Sequence, residues 1–159
     1  MKKFMSLILV IAFVASMPFV AMAACTAALT TSYKTEILAG THTSTDNYYV
    51  ALYSGATMGA ATTAYTVTSE VTGTGYTAGG KLLTGFTASA SGTTAYIDFD
   101  NAVWSAPTTL TADCFMIYNH SKSDKAVMIG TFAAPVTSTS GTFTITWPAP
   151  GATAIIRLP

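Results

Sequence analysis

Of the 159 residues only 9% are charged, and the formal net charge is +0. No basic cluster and no acidic tail stands out, so the chain lacks the electrostatic footprint of a nucleic-acid-binding protein. Abundant threonine and eight tyrosines point instead to an exported β-protein. Threonine is β-branched and favours strands, while its hydroxyl keeps an outward face wet.

The chain opens on MKKFMSLILVIAFVASMPFVAMAAC. Lys2 and Lys3 precede an uncharged apolar run over residues 4–20, and small residues follow at Ala21, Ala23 and Ala24. A basic start, an apolar middle and an A-x-A end make a secretory signal peptide, with cleavage after Ala23. A retained membrane anchor is the alternative, since the run is close to the roughly 20 residues that span a bilayer. Pro18 and the Ala-Met-Ala end favour cleavage. Residues 1–23 are then signal peptide, and 24–159 form one slightly acidic domain, long enough to bury its own core. Cys25 and Cys114 pair by default in an exported chain. Closing so long a loop contributes up to about 4–5 kcal/mol in the chain-entropy model. The rival is a lipid on Cys25: Met-Ala-Ala-Cys offers the small residues a lipobox needs, but Met22 stands where leucine is usual.

Residues 28–40 carry the helical period of the domain. Leu29, Tyr33, Ile37 and Leu38 fall at helical spacing, Thr30 or Thr31 can cap the start, and Gly40 sits where a C-terminal cap glycine belongs. Beyond it the period changes to two. Strands are predicted over 47–54, 81–89, 93–100, 109–119, 126–134, 142–147 and 152–159. Ser91 and Gly92 make one turn, the polar 119–125 joins the clearest hairpin, and TSTSG (137–141) makes another turn. Pro135, Pro148 and Pro150 fall at strand ends, where a missing N–H matters least. About seven to eight strands with short turns and one short N-terminal helix predict an all-β fold, a jelly-roll-like antiparallel β-sandwich. Nothing follows the last strand to cover it, which predicts an edge where another subunit can add a strand.

Signals for catalysis are weak. His42 and His120 are framed by no motif, no G-x-S-x-G occurs, and Cys25, Cys114, His42 and His120 lack zinc-ligand spacing. Asp98 and Asp100 share a strand face beside Asn101 and form a weak calcium candidate. A solvated outer face is the plainer reading, because calcium takes about six or more oxygens. Asn119, His120 and Ser121 fit an N-glycosylation sequon, which matters only in a eukaryotic route; the signal peptide looks bacterial. AYTVTSEVTGTGYTAGGK (64–81) has the glycines and lysine of a phosphate cradle, but Leu82 follows Lys81 where Ser or Thr is needed. The segment is a long connection whose glycines permit turns. Tyr65, Tyr76 and Lys81 are its interaction candidates, lying against the sheet or a neighbouring subunit.

EILAGTH, YYVALYSGA, TAYTVTSEVTGTGYTAGGK, IDFDNAVW, IYNHSKSDKAVMIGTF and SGTFTITW follow one another in this order, with AIIRL near the end. The set resembles a family of small tailed-bacteriophage proteins found among virion structural genes, over roughly residues 31–158. The resemblance implies an all-β virion component of the decoration, head-fibre or tail-accessory kind. It implies no catalysis and no cofactor, and supplies no site residues. Two features depart from the family's pattern. Its members begin directly at the short helix, without a signal peptide, and Cys114 is atypical and fits an oxidising compartment.

The expected function is a non-enzymatic structural or interaction protein, exported to the periplasm, the medium or a surface, or else carried in a virion. Its expected partners are copies of itself or other subunits. Nucleic acid is not expected, nor a membrane after signal cleavage unless Cys25 is lipidated. The alternative is an exported glycan- or ligand-binding module, which needs Tyr48, Tyr53, Tyr65, Tyr76 and Trp104 to cluster on one exposed face.

Overall fold

The computed structural model describes residues 24–158, so the predicted signal peptide and its predicted cleavage after Ala23 lie outside the described residues. The chain enters through β1 (Ala28–Leu29) and passes straight into α1 (Thr31–Leu38). Thr30 keeps an extended backbone, and its hydroxyl accepts from the Tyr33 N–H at 3.2 Å, so one residue ends the strand and caps the helix. Then follow β2 (Tyr48–Tyr53), β3 (Lys81–Leu82), β4 (Thr87–Ser91), β5 (Thr94–Asp98), β6 (Ala102–Asn119), β7 (Lys125–Ile145) and β8 (Ile156–Leu158).

These strands form two antiparallel sheets, as the sequence predicts for an all-β sandwich. One is five-stranded, in the order β1-β7-β6-β2-β3, and the other three-stranded, in the order β4-β5-β8. Between them Leu52, Trp104, Phe115, Ile117, Phe143 and Ile156 are buried in one apolar cluster. β-branched and aromatic residues dominate it because they fill a pleated, covered surface well.

Several predicted boundaries move: residues 28–29 are strand, the last strand starts at Ile156 instead of 152, and two further changes alter the topology. Residues 81–89 are not one strand: β3 belongs to the larger sheet and β4 to the smaller. The chain crosses over at Gly85, where φ is +69° and an added Cβ would lie 2.4 Å from the Asp100 carboxyl carbon. TSTSG is not a turn either. β7 runs through it, with Ser138 opposite Leu110 and Gly141 opposite Thr108, while β6 starts early enough for Ala102 to face Ile145. Pro107 and Ser140, which look like strand breakers, are absorbed at shifts of register between Trp104 and Leu110. Extra residues in a long hairpin make bulges there and do not reverse the chain.

Candidate functional site

The outer face of the five-stranded sheet divides into a covered and an open half. In the covered half, Ala51, Tyr53, Met116 and Ile129 are buried against Ala56 and Met58 from the connection after β2. Cys25 is disulfide-bonded to Cys114 across this half, with the Cα atoms 6.3 Å apart. The bond occupies the sulfur that a lipid on Cys25 would need.

The 64–81 segment extends this cover. Its Tyr65 N–H donates to the Asp124 carbonyl at 2.8 Å and its Val71 N–H to the Leu52 carbonyl at 3.0 Å. Glu70 organises the segment. Its carboxylate accepts from the Tyr76 hydroxyl at 2.7 Å, the Gly79 N–H at 2.8 Å and the Tyr65 hydroxyl at 2.6 Å. Tyr76 in turn accepts from the Leu52 N–H at 2.9 Å. Tyr65 stacks on Tyr118 with ring centroids 4.7 Å apart, and the Tyr118 hydroxyl donates to the Gly79 carbonyl at 2.7 Å. Burial first, and then the Glu70 carboxylate, push the Tyr65 phenol well above its ordinary range. Gly80 explains the glycine pair: at φ +75°, a Cβ there would sit 1.9 Å from the Val50 carbonyl oxygen. Tyr65 and Tyr76 thus meet on one carboxylate, whereas Lys81 is exposed in β3. Sequence reasoning passed over Glu70, although it is the sole acid in the stretch and therefore the sole strong acceptor for two phenols.

The same segment runs on along the edge of β6, where the Thr109 N–H donates to the Thr74 carbonyl at 2.9 Å, but the outer face of the β6–β7 hairpin there lies open. Val103, Thr109, Thr111, Thr137, Thr142 and Thr144 are exposed, while Trp104, Leu110, Phe143 and Ile145 between them are buried. Thr111 and Thr137 meet hydroxyl to hydroxyl at 2.9 Å, and Val103 is paired with Thr144. Residues 126–156 contain no Lys, Arg, Asp or Glu. A soluble surface commonly carries about 25–35% charged residues, so this face is unusual in having none. In the smaller sheet β4 is an edge strand whose five residues are all exposed, small and uncharged. Such an edge lacks the lysine or proline that usually guards against pairing.

The other candidates are structural in their contacts. His42 is buried with both ring nitrogens engaged, Nε2 with Glu36 at 2.8 Å and Nδ1 with the Asn119 amide at 2.9 Å. Asn119 also donates to Asp46 at 2.9 Å, Lys122 lies 3.4 Å from Asp46, and Lys125 bonds Glu36. Burial pushes the Glu36 carboxyl up, but the hydrogen bonds and charges of Lys125 and His42 outweigh it and hold the group below its usual range. Asp46 is likewise held low, where bonds from Asn119 and Thr43 and the Lys122 charge outweigh burial. Asn119 is 0% exposed, so the sequon does not present its amide to a glycan-transferring enzyme. His120 pairs with Asp124 on the surface at 2.6 Å.

Asp100 accepts from the Thr84 hydroxyl at 3.0 Å, and the Asn101 side-chain oxygen accepts from the Trp147 N–H at 3.0 Å. Two of the three calcium candidates are thus engaged in tying the crossover together. Among the described residues one group of three metal-type ligands lies close together, namely Cys25, Asp113 and Cys114, and its two sulfurs are bonded to each other. Tyr48, Tyr53 and Trp104 are buried, so the five aromatics named for a glycan face do not share an exposed one.

Comparison of the chain with protein-family models, with curated proteins and with solved structures finds no match. The fold by itself defines the class: an all-β protein of two antiparallel sheets, stapled by one disulfide.

Proposed function

We propose that this is a non-enzymatic structural protein, the kind of component that the virion-like resemblance implies, and that it packs against copies of itself through the open half of the β6–β7 face. The observation that carries the reading is the charge-free stretch 126–156, ten of whose residues in β7 are exposed. A solvated face without charge has little to repel a second copy, and threonine hydroxyls can pair across an interface as Thr111 and Thr137 do within one chain. The disulfide supports work in an oxidising compartment, since such bonds persist outside the reducing cytosol. Sedimentation velocity over a concentration series tests the proposal. Association is expected by about 100 μM, a range typical of weak interfaces. Thr144→Lys, which places a charge on the face beside Val103, is expected to return the protein to monomer. A wild-type protein still monomeric near 1 mM would overturn the reading.

A further inference from the structure

A cavity of about 310 Å³ lies between α1, the 42–44 connection and the three-stranded sheet, away from the face just described. Its walls are largely apolar, with Ile37, Phe86, Ile97 and Ile156 prominent, and Phe86 is stacked on Tyr48 with ring centroids 5.5 Å apart. Small-molecule sites start at about 300 Å³ and combine such walls with a few placed polar groups.

Two polar groups here stand out among the described residues, one buried without a partner and one a cation without a carboxylate. Tyr33 lines the cavity at 0% exposure, yet its hydroxyl has no hydrogen-bond partner. Native folds satisfy nearly all buried polar groups, so an unpartnered hydroxyl beside a cavity calls for a partner that the protein itself does not supply. Arg157 lines the same cavity from β8 at an exposed position. Its guanidinium donates to the Ala154 carbonyl at 3.0 Å and meets no carboxylate among the described residues. Of the other titratable wall groups, Tyr48 donates to the Thr43 carbonyl at 3.1 Å, Tyr96 is half-buried, and His42 has both nitrogens bonded, its acidic partner Glu36 being held by Lys125. The cavity therefore offers an anion-accepting rim, an apolar middle and a buried hydroxyl.

We propose that it binds a small aryl carboxylate bearing a distal hydroxyl: the carboxylate on Arg157, the ring among Phe86, Ile97 and Ile156, and the hydroxyl on Tyr33. The site stands independently of the self-packing face, so either can fail without the other. The test is NMR titration of the ¹⁵N-labelled, disulfide-bonded protein with 3-(4-hydroxyphenyl)propanoate. Saturable shifts are expected at Tyr33, Ile37 and Ile97, with a Kd below about 1 mM. 3-Phenylpropanoate should bind about fivefold more weakly, the worth of one net hydrogen bond. Tyr33→Phe keeps the ring and should erase that preference while leaving 3-phenylpropanoate unchanged. Arg157→Gln should weaken both probes about tenfold, as loss of a charge-assisted bond does. No saturation by about 10 mM probe, a preference that survives Tyr33→Phe, or a primary amide of the probe binding as tightly as the acid would each overturn the proposal.

Discussion

Between Cys114 and Asn119, β6 is buried on both of its faces; between Ala102 and Thr111 the same strand alternates buried with exposed. β7 does likewise at its two ends, buried continuously over residues 126–130 and alternating over 142–145, with 133–137 exposed between them. One hairpin thus passes from a layer with cover on both sides to a layer with cover on one. The difference is written in composition: CFMIY and AVMI where both faces are covered, TFTI where one is wet. The cover is not another sheet but a long connection held by a disulfide, a carboxylate and a close glycine. Stability is therefore expected to concentrate where that connection sits, and the open half to tolerate change.

Four measurements sharpen or break this contrast. Replacing Cys25 and Cys114 together by serine should cost about 4 kcal/mol by denaturant unfolding, since the bond closes a loop of 89 residues' separation. Hydrogen exchange should show the loss first at Ala51, Tyr53 and Met116, and equal loss around Thr142 would erase the distinction. Gly80→Ala should cost about 3 kcal/mol, because alanine disfavours positive φ there and its Cβ would meet the Val50 carbonyl. An unchanged midpoint would mean the connection does not rest on β2.

Acid should act next, and on the covered end. Glu36 and Asp46 have folded pKa values below their unfolded ones, so they stabilise the fold above about pH 4.5, and that contribution is lost as pH falls through the lower folded values. Glu36→Gln should flatten the fall in melting temperature between about pH 5 and 3. A parallel curve would remove the Lys125–Glu36–His42 network from the account. Thr144→Lys should do least to the fold, within about 0.5 kcal/mol, because the position is exposed. A large loss there would show the open half to be part of the folding unit's energetics.

Much of the fold was legible because periodicity reports burial. TFTITW alternates and is a one-faced strand; DCFMIY does not and is a two-faced one. The helix announced itself through Thr30 and Gly40. What escaped was long-range choice. Nothing local says that Gly85 sends the chain to another sheet, or that residues 102–104 are met by 143–145 despite Pro107 and TSTSG. Pairing across some forty residues overrides turn propensity once both strands bury Trp104 and Phe143. At the candidate sites, Tyr65 and Tyr76 could be picked from composition, but their shared acceptor Glu70 could not. Its role depends on three donors converging from residues five, six and nine positions away. The cavity at Tyr33 was invisible for the same reason: its walls come from a helix, two connections and four strands.

The bond between Cys25 and Cys114 also alters what a protease can do to this molecule. The exposed 67–69 stretch and the tip at Gly92 both fall inside the ring that the bond closes. A single cut at either place opens the backbone without releasing a fragment. On a non-reducing gel the nicked chain keeps its mass, and only a thiol separates it into two pieces.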